Sequence, residues 1–131
     1  MLNKLADLHK LCFPHRPWNA DDFRDLKKSG CEIVVSENGF IVWRTVCDEA
    51  EIITIGVHPA ARGGGIATAM LGLMEHETKK AGAKTIFLEV SAENAPAIAL
   101  YKKCGFIQVG ERKRYYNDPV EDALVMVVEL E

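Results

Sequence analysis

Three consecutive glycines, Gly63 to Gly65, stand in the stretch IGVHPAARGGGIATAM (Ile55–Met70), between a strand-like apolar run and a helix-like one. Backbone amides at a helix start lack intrahelical partners and sit at the positive end of the helix dipole, so glycines there let phosphate oxygens approach the chain. The stretch predicts a phosphate-bearing ligand. Downstream, the carboxylate of Glu89 stands near the end of the apolar run TIFLEV, and the phenol of Tyr101 follows twelve positions later. Metal chemistry is not expected. Cys12, Cys31, Cys47 and Cys104 lack the paired spacing of a zinc or redox motif and read as reduced, mostly buried thiols. His9, His15, His58 and His76 lack ligand spacing as well.

A Walker-type loop requires lysine and then Ser or Thr after its last glycine, but Gly65 is followed by Ile66 and Ala67. A dinucleotide fold fits in part, since Gly63-x-Gly65 precedes a helix and Glu89 ends the next strand about 20 residues on. Against it, HPAAR separates strand from glycines and Thr68 stands at the third glycine position.

The elements that must position these groups follow from periodicity and punctuation. Leu2, Leu5, Leu8 and Cys12 recur at helical spacing until FPHRPW breaks the pattern. Asn19 caps a second helix whose apolar side is Phe23 and Leu26 and which Gly30 ends. CEIVVSENGFIVWRTV reads as two strands joined at a tight Asn38-Gly39 hairpin turn, and the turn CDEA leads to the strand Glu51–Val57. A helix runs from Ile66 to about Ala81 with a stripe of Ile66, Met70, Leu73 and Met74, closed by Gly82. The strand Thr85–Val90 then lies parallel to Glu51–Val57, because a helical crossover joins them. Asn94 opens another helix that Gly105 stops, and FIQVGER and DALVMVVEL are the last two strands. The result is one α/β domain over residues 1–131, in the order ααβββαβαββ, with a mixed and mostly antiparallel sheet and flanking helices.

Val57-x-Pro59 followed by Arg62-Gly63-Gly64-Gly65-Ile66-Ala67 resembles the acetyl-CoA signature of the GNAT superfamily of N-acetyltransferases. The segment LEVSAENAPAIALYKKCGF, Leu88 to Phe106, independently resembles the part of that superfamily that flanks the pantetheine arm. Within it, CFPHRPWNADDF, DEAEIITIGVHP, LEVSAENAPAIALY and RKRYYNDPVEDALVM are similar to the RimI-type ribosomal-protein-alanine N-acetyltransferases. One departure is that this chain starts almost directly in a helix, where that family begins with a strand. The strand CEIVVSE is thereby expected to be an open sheet edge, which implies a monomer or a weak dimer through that edge.

The resemblance implies acetyl-CoA as co-substrate, with Ile55, Gly56, Val57, Arg62, Gly63, Gly64, Gly65, Ile66, Ala67, Thr68, Asn94 and Tyr101 as its contacts. It also implies Glu89 as general base and Tyr101 as the acid that protonates the departing thiolate, in direct transfer. Plainer roles stay open for each: Glu89 as a helix cap or ion-pair partner, Tyr101 as a buried aromatic, Asn94 as an N-cap. Gly56 is read either as a bulge that splays the parallel strands or as a site of tight packing. ERKRYY, Glu111 to Tyr116, either frames a peptide cleft, as in that family, or is a solvated basic hairpin end. For Cys104, a covalent acetyl-cysteine route has no visible activating base.

The acceptor implied is a protein α-amine, that of an N-terminal alanine on a ribosomal protein. The alternatives are a lysine or small-molecule amine, or a non-catalytic acyl-CoA or nucleotide-binding module. A net charge of −3, with 48% hydrophobic and 27% charged residues, argues against a nucleic-acid binder. No apolar run reaches the roughly 18 residues of a membrane span, and a charged N-terminus argues against a signal peptide. A cytoplasmic location is expected.

Overall fold

A computed structural model describes residues 1–117 and 120–131, so Asp118 and Pro119 of the quoted RKRYYNDPVEDALVM lie outside the described residues. The elements are α1 (Leu2–Cys12), α2 (Ala20–Lys28), β1 (Glu32–Val35), β2 (Gly39–Val46), β3 (Glu49–Val57), α3 (Ile66–Lys80), β4 (Thr85–Ser91), α4 (Ala95–Lys103), β5 (Ile107–Tyr116) and β6 (Glu121–Glu129). A short 3-10 turn, Pro59–Ala61, lies between β3 and α3. The sheet order is β1-β2-β3-β4-β6-β5. β3 and β4 run parallel and every other neighbouring pair is antiparallel, as the sequence predicts.

The helices cover the sheet from two sides. Leu5, Leu8, Phe23, Phe40 and Val42 form the core on the α1/α2 side. Ile41, Trp43, Ile52, Met70, Met74, Leu88, Val90 and Tyr101 form the core under α3 and α4. β2 therefore feeds both cores and is buried continuously from Gly39 to Trp43, with no polar alternation. In α3 the buried side is Met70, Leu71, Met74 and Thr78, whereas Leu73 of the expected stripe is 42% exposed.

On the α1/α2 side, Asn19 and Asp22 form a reciprocal capping box, each side chain accepting from the other's backbone N–H at 2.9 Å. The proline-broken segment between the two helices folds back so that Trp18 stacks on the His9 ring, with centroids 4.8 Å apart. His9 Nδ1 accepts the Trp18 N–H at 3.1 Å, and Phe13, Phe23 and Phe40 complete an aromatic enclosure around the imidazole. Burial there pulls the His9 pKa down to about 4, against a smaller opposing pull from Asp22.

Three local expectations are corrected. Val35 pairs with Phe40 and the Ser36 N–H reaches the Gly39 carbonyl at 2.8 Å, so Glu37 and Asn38 make the turn and Gly39 begins β2. Gly39 is required there by proximity, because an added Cβ would stand 3.0 Å from Met70 Cε and 3.1 Å from Ile66 Cγ2. The CDEA turn contracts to Cys47 and Asp48, since Val46 already pairs with Glu49, and Cys47 takes φ 56°. Of the four free thiols only Cys31 is fully buried, and Cys47 is exposed.

Candidate active site

The site begins where β3 and β4 part. Their parallel pairing covers Glu49–Ile52 against Thr85–Leu88 and stops there, while β4 stays paired to β6 through Ser91. At the same level the β2–β3 register steps between Val42/Thr54 and Trp43/Ile52, which makes Ile53 the extra residue of a β-bulge. The bulge lies at Ile53 and not at Gly56, which stays in register opposite Phe40. Gly56 answers the tight-packing alternative: a Cβ there would stand 2.6 Å from Phe40 Cζ and 2.9 Å from Cys12 Sγ. The extra residue also changes which side chains face which helices. Ile52, Ile55 and Val57 join the α3 side, and Ile53 joins the α1/α2 side.

Beyond the bulge, the direction of the backbone groups follows from the ladder. Hydrogen-bonded and non-hydrogen-bonded pairs alternate between antiparallel strands. The His58 N–H bonds the Asn38 carbonyl at 2.7 Å, so the pairs Val57/Gly39 and Ile55/Ile41 are of the non-bonded kind. The N–H and C=O groups of Ile55 and Val57 thus point away from β2, toward the side on which β4 diverges. The Val57 carbonyl is taken by Arg62 Nε at 3.1 Å and by the Cys12 thiol at 3.3 Å. Burial raises the Cys12 thiol pKa, which keeps it a protonated donor.

The glycine loop closes one end of this wedge. Gly63 and Gly65 have φ 86° and 84°, and an added Cβ at either would meet nothing within 4 Å, so backbone conformation and not crowding calls for glycine there. Gly65 is the left-handed N-cap of α3 and offers no side chain to its first-turn amides. A cavity of about 620 Å³ follows, walled by Ile55, Gly56, Val57, Arg62, Gly63, Gly65, Ile66, Ala67, Thr68, Asn94 and Tyr101 among others. Gly64 is outside its lining. Asn94 Oδ1 accepts the Ala97 N–H at 3.3 Å and so acts as the N-cap of α4.

Tyr101 is 5% exposed and packs against Phe106, and its burial lifts the phenol pKa above its ordinary value. Glu89 does not line the cavity. It is the first residue of β4 past the last pair with β3 and alternates with the inward-facing Leu88 and Val90, which puts it on the opposite face of the strand. There its side chain is 14% exposed, with Oε1 3.6 Å from Arg112 Nη1 and Oε2 buried without a hydrogen-bond partner.

Other contributors carried no local signal in the sequence. Cys12, Phe13, Ser91 and Glu121 also line the cavity. Glu121 Oε1 accepts from Ser91 Oγ at 2.8 Å and from Arg16 Nη2 at 3.1 Å, and the Arg16 guanidinium lies 4.8 Å over the Tyr116 ring. The Tyr116 phenol is pushed up to about 12 by burial, with smaller effects of the Tyr115 phenol and the Glu89 charge. ERKRYY is the outer part of β5, exposed from Glu111 to Tyr115 and half-buried at Tyr116, and the charge of Glu89 acts on both of its phenols. Among the described residues no group of His, Cys, Asp and Glu is arranged to hold a metal ion.

The Acetyltransferase (GNAT) family matches residues 2–106. The chain belongs to the GNAT acetyltransferase family. It is 34% identical over 119 residues, 86% of this chain and 80% of the relative, to the [ribosomal protein bS18]-alanine N-acetyltransferase of Escherichia coli K12. The crystal structure of the ribosomal-protein-S18-alanine N-acetyltransferase from Escherichia coli superposes with a TM-score of 0.88 at 29% identity, covering 99% of this chain and 88% of that one. A crystal structure of the NatC complex bound to Gag peptide and CoA shares the fold, with a TM-score of 0.80 at 24% identity over 98% of this chain and 92% of that one. This GNAT chain is an N-acetyltransferase, and acetyl-CoA is the co-substrate of its family. No helix in the described residues is long and apolar enough to cross a membrane.

Proposed function

We propose that this acetyltransferase modifies the α-amine of an N-terminal alanine, with ribosomal protein bS18 as acceptor, by direct transfer from acetyl-CoA. The observation that carries the reading is the wedge after Ile52/Leu88, where the outward amides of Ile55 and Val57 meet the cavity behind the glycine loop. The likeness to the bS18-alanine enzyme supports the acceptor.

The cavity fits a long phosphorylated thioester. At one end the unencumbered glycines and the first-turn amides of Ile66, Ala67 and Thr68 suit a pyrophosphate, which accepts hydrogen bonds and favours the positive helix end. At the other end an apolar wall of Ile55, Ala97 and Leu100 suits a pantetheine arm. When bound, acetyl-CoA supplies the activated acetyl group. Glu89 takes the proton from the acceptor ammonium on one face of β4, and the Val57 N–H stabilises negative charge on the carbonyl oxygen. Tyr101, kept neutral by burial, gives its proton to the thiolate on the other face. The neighbouring Val57 carbonyl is fixed by Arg62 and Cys12, which anchors the chain just past this amide.

The test is mass spectrometry of peptides incubated with the protein and acetyl-CoA. A peptide with the bS18 N-terminus should gain one acetyl group at its α-amine. Faster transfer to an N-terminally blocked lysine peptide or to a polyamine would replace this acceptor with a side-chain or small-molecule amine. Acetyl-CoA binding with no transfer to any of them would make the protein a sensor.

A further inference from the structure

Glu89 is held in an unusual way for a carboxylate that is 14% exposed. Its Oε2 is buried without a hydrogen-bond partner, and its Oε1 faces a guanidinium at 3.6 Å, beyond hydrogen-bond range. Arg112 therefore lends charge to Glu89 without bonding it. The arginine is 57% exposed on the edge strand β5, where an ion pair is weak and readily exchanged.

In the same position Arg112 has a second partner. Its guanidinium lies 5.3 Å from the centre of the Tyr115 ring, an arrangement that stabilises a cation in the absence of a carboxylate. The strand is irregular at this point, with the β5–β6 register slipping between Arg112 and Tyr116 and Arg114 adopting φ 51°. Neighbouring charges are engaged differently. Lys113 pairs with Glu111 and Asp122, the Arg114 N–H donates to Asp122 Oδ1, and Arg16 is tied to Glu121 and the Asn117 carbonyl. The other groups that sense Glu89 are the Tyr115 and Tyr116 phenols: burial and the Glu89 charge keep both neutral, and the Tyr115 phenol also interacts with the Glu89 carboxylate by a hydrogen bond.

We propose that Arg112 is an exchangeable counter-ion, a positioning residue that holds the place of the acceptor's ammonium at Glu89 and gives way to it. In the free protein Arg112 offsets the cost of a buried carboxylate. As the acceptor enters, its α-ammonium takes the Oε1 side of Glu89, where Arg112 stands, and Arg112 moves out along the Tyr115 ring while remaining in solvent. The device admits a cationic, protonated amine to the base and makes every such amine compete with the arginine. This inference rests on Glu89 facing the acceptor.

The test compares Arg112→Ala and Arg112→Lys with the parent, using an alanine-initiated peptide at saturating acetyl-CoA. Removing the competitor should lower the KM for the peptide by about two- to fivefold, the equivalent of one exposed ion pair, so that kcat/KM for the peptide rises while the KM for acetyl-CoA stays constant. Arg112→Lys should keep the parent KM. The effect should vanish when the Arg112→Ala change is repeated in a Glu89→Gln background, measured by peptide binding if turnover is too slow. An unchanged or higher peptide KM in Arg112→Ala, or an equal drop in both backgrounds, would overturn the exchange. The reading of Glu89 as the base is judged separately, by whether Glu89→Gln alone lowers kcat.

Discussion

Tyr101 and Glu89 stand on opposite faces of β4: Tyr101 packs with Leu88 and Val90 in the α3/α4 core, while Glu89 alternates with them and turns toward Arg112. In the proposed mechanism, an acid and a base so divided serve a donor and an acceptor that meet through the strand wedge. Glu89→Gln and Tyr101→Phe should each lower kcat by about 10²- to 10⁴-fold with a smaller effect on acetyl-CoA affinity. Single-turnover measurement isolates the chemical step from product release. Because burial raises the Tyr101 pKa, the phenol stays protonated through neutral and mildly basic pH, and Tyr101→Phe should not remove a basic limb below pH about 10. Near-parent rates in either variant would make that residue structural.

Gly65 and Gly82 provide a matched pair for testing the loop. Both have positive φ, 84° and 95°, and an added Cβ at either would meet nothing within 4 Å. Alanine at either should therefore cost a similar amount, about 1 to 2 kcal/mol of backbone strain. Only Gly65 borders the cavity. Calorimetric titration should show acetyl-CoA affinity reduced in Gly65→Ala and unchanged in Gly82→Ala, with similar losses in melting temperature. Equal affinities would remove the loop from the pyrophosphate site.

His9 should make the protein acid-sensitive. Its folded pKa of about 4 lies below the unfolded value of 6.5, so the unfolded chain binds the proton first as pH falls. The contribution of a neutral His9 is complete above pH 6.5 and is lost progressively down to pH 4. Between pH 8 and 5 it amounts to about 2 kcal/mol. Urea unfolding of the parent and of His9→Gln, whose carbonyl can still accept from Trp18, should show a steeper pH dependence in the parent. Parallel curves would mean that the imidazole is protonated in its aromatic enclosure.

Gly56 and Phe40 are predicted to be energetically coupled. Gly56→Ala places a methyl 2.6 Å from Phe40 Cζ and should destabilise the protein by about 1 to 3 kcal/mol through overpacking. In Phe40→Leu, which removes that ring atom, the same glycine change should cost less. A double-mutant cycle by denaturant unfolding measures the difference, and strict additivity would remove the ring as the reason for the glycine.

The sequence is sufficient for the number, type and order of the elements because the signals that mark them are local. Asn19 with Asp22, and the glycines at 63, 65, 82 and 105, fix termini within one turn of themselves. Gly39 shows the limit, since Asn-Gly is a common hairpin dipeptide yet this glycine answers to Met70 and Ile66 of α3. The bulge at Ile53 had no residue to announce it, because a bulge is a mismatch between two strands and Ile-Ile-Thr is ordinary strand composition. The polar wall of the site was equally hidden. Arg16 and Glu121 are 105 positions apart, and only the packing of the α1–α2 segment against the sheet brings them together. Glu89 and Tyr101 stand out in the sequence only as candidates implied by family resemblance, whereas their placement on two faces needs the register of β4.

Among the described residues, the four pairs between β3 and β4 are the only strand pairing between two three-stranded halves, β1-β2-β3 and β4-β6-β5. The pairing is reinforced at one end, where the Asp48 carbonyl accepts from the N–H groups of both Lys84 and Thr85. Mechanically the sheet is a clothes-peg: a short fixed clasp at one end, two stiff arms, and jaws that widen toward Val57 and Ser91. A small change of angle at the clasp becomes a larger change of gap at the jaws, so the resting aperture is set by residues Asp48–Ile52 and Lys84–Leu88. Substitutions there, well away from the reacting groups, would alter how wide the entrance stands without touching any of them.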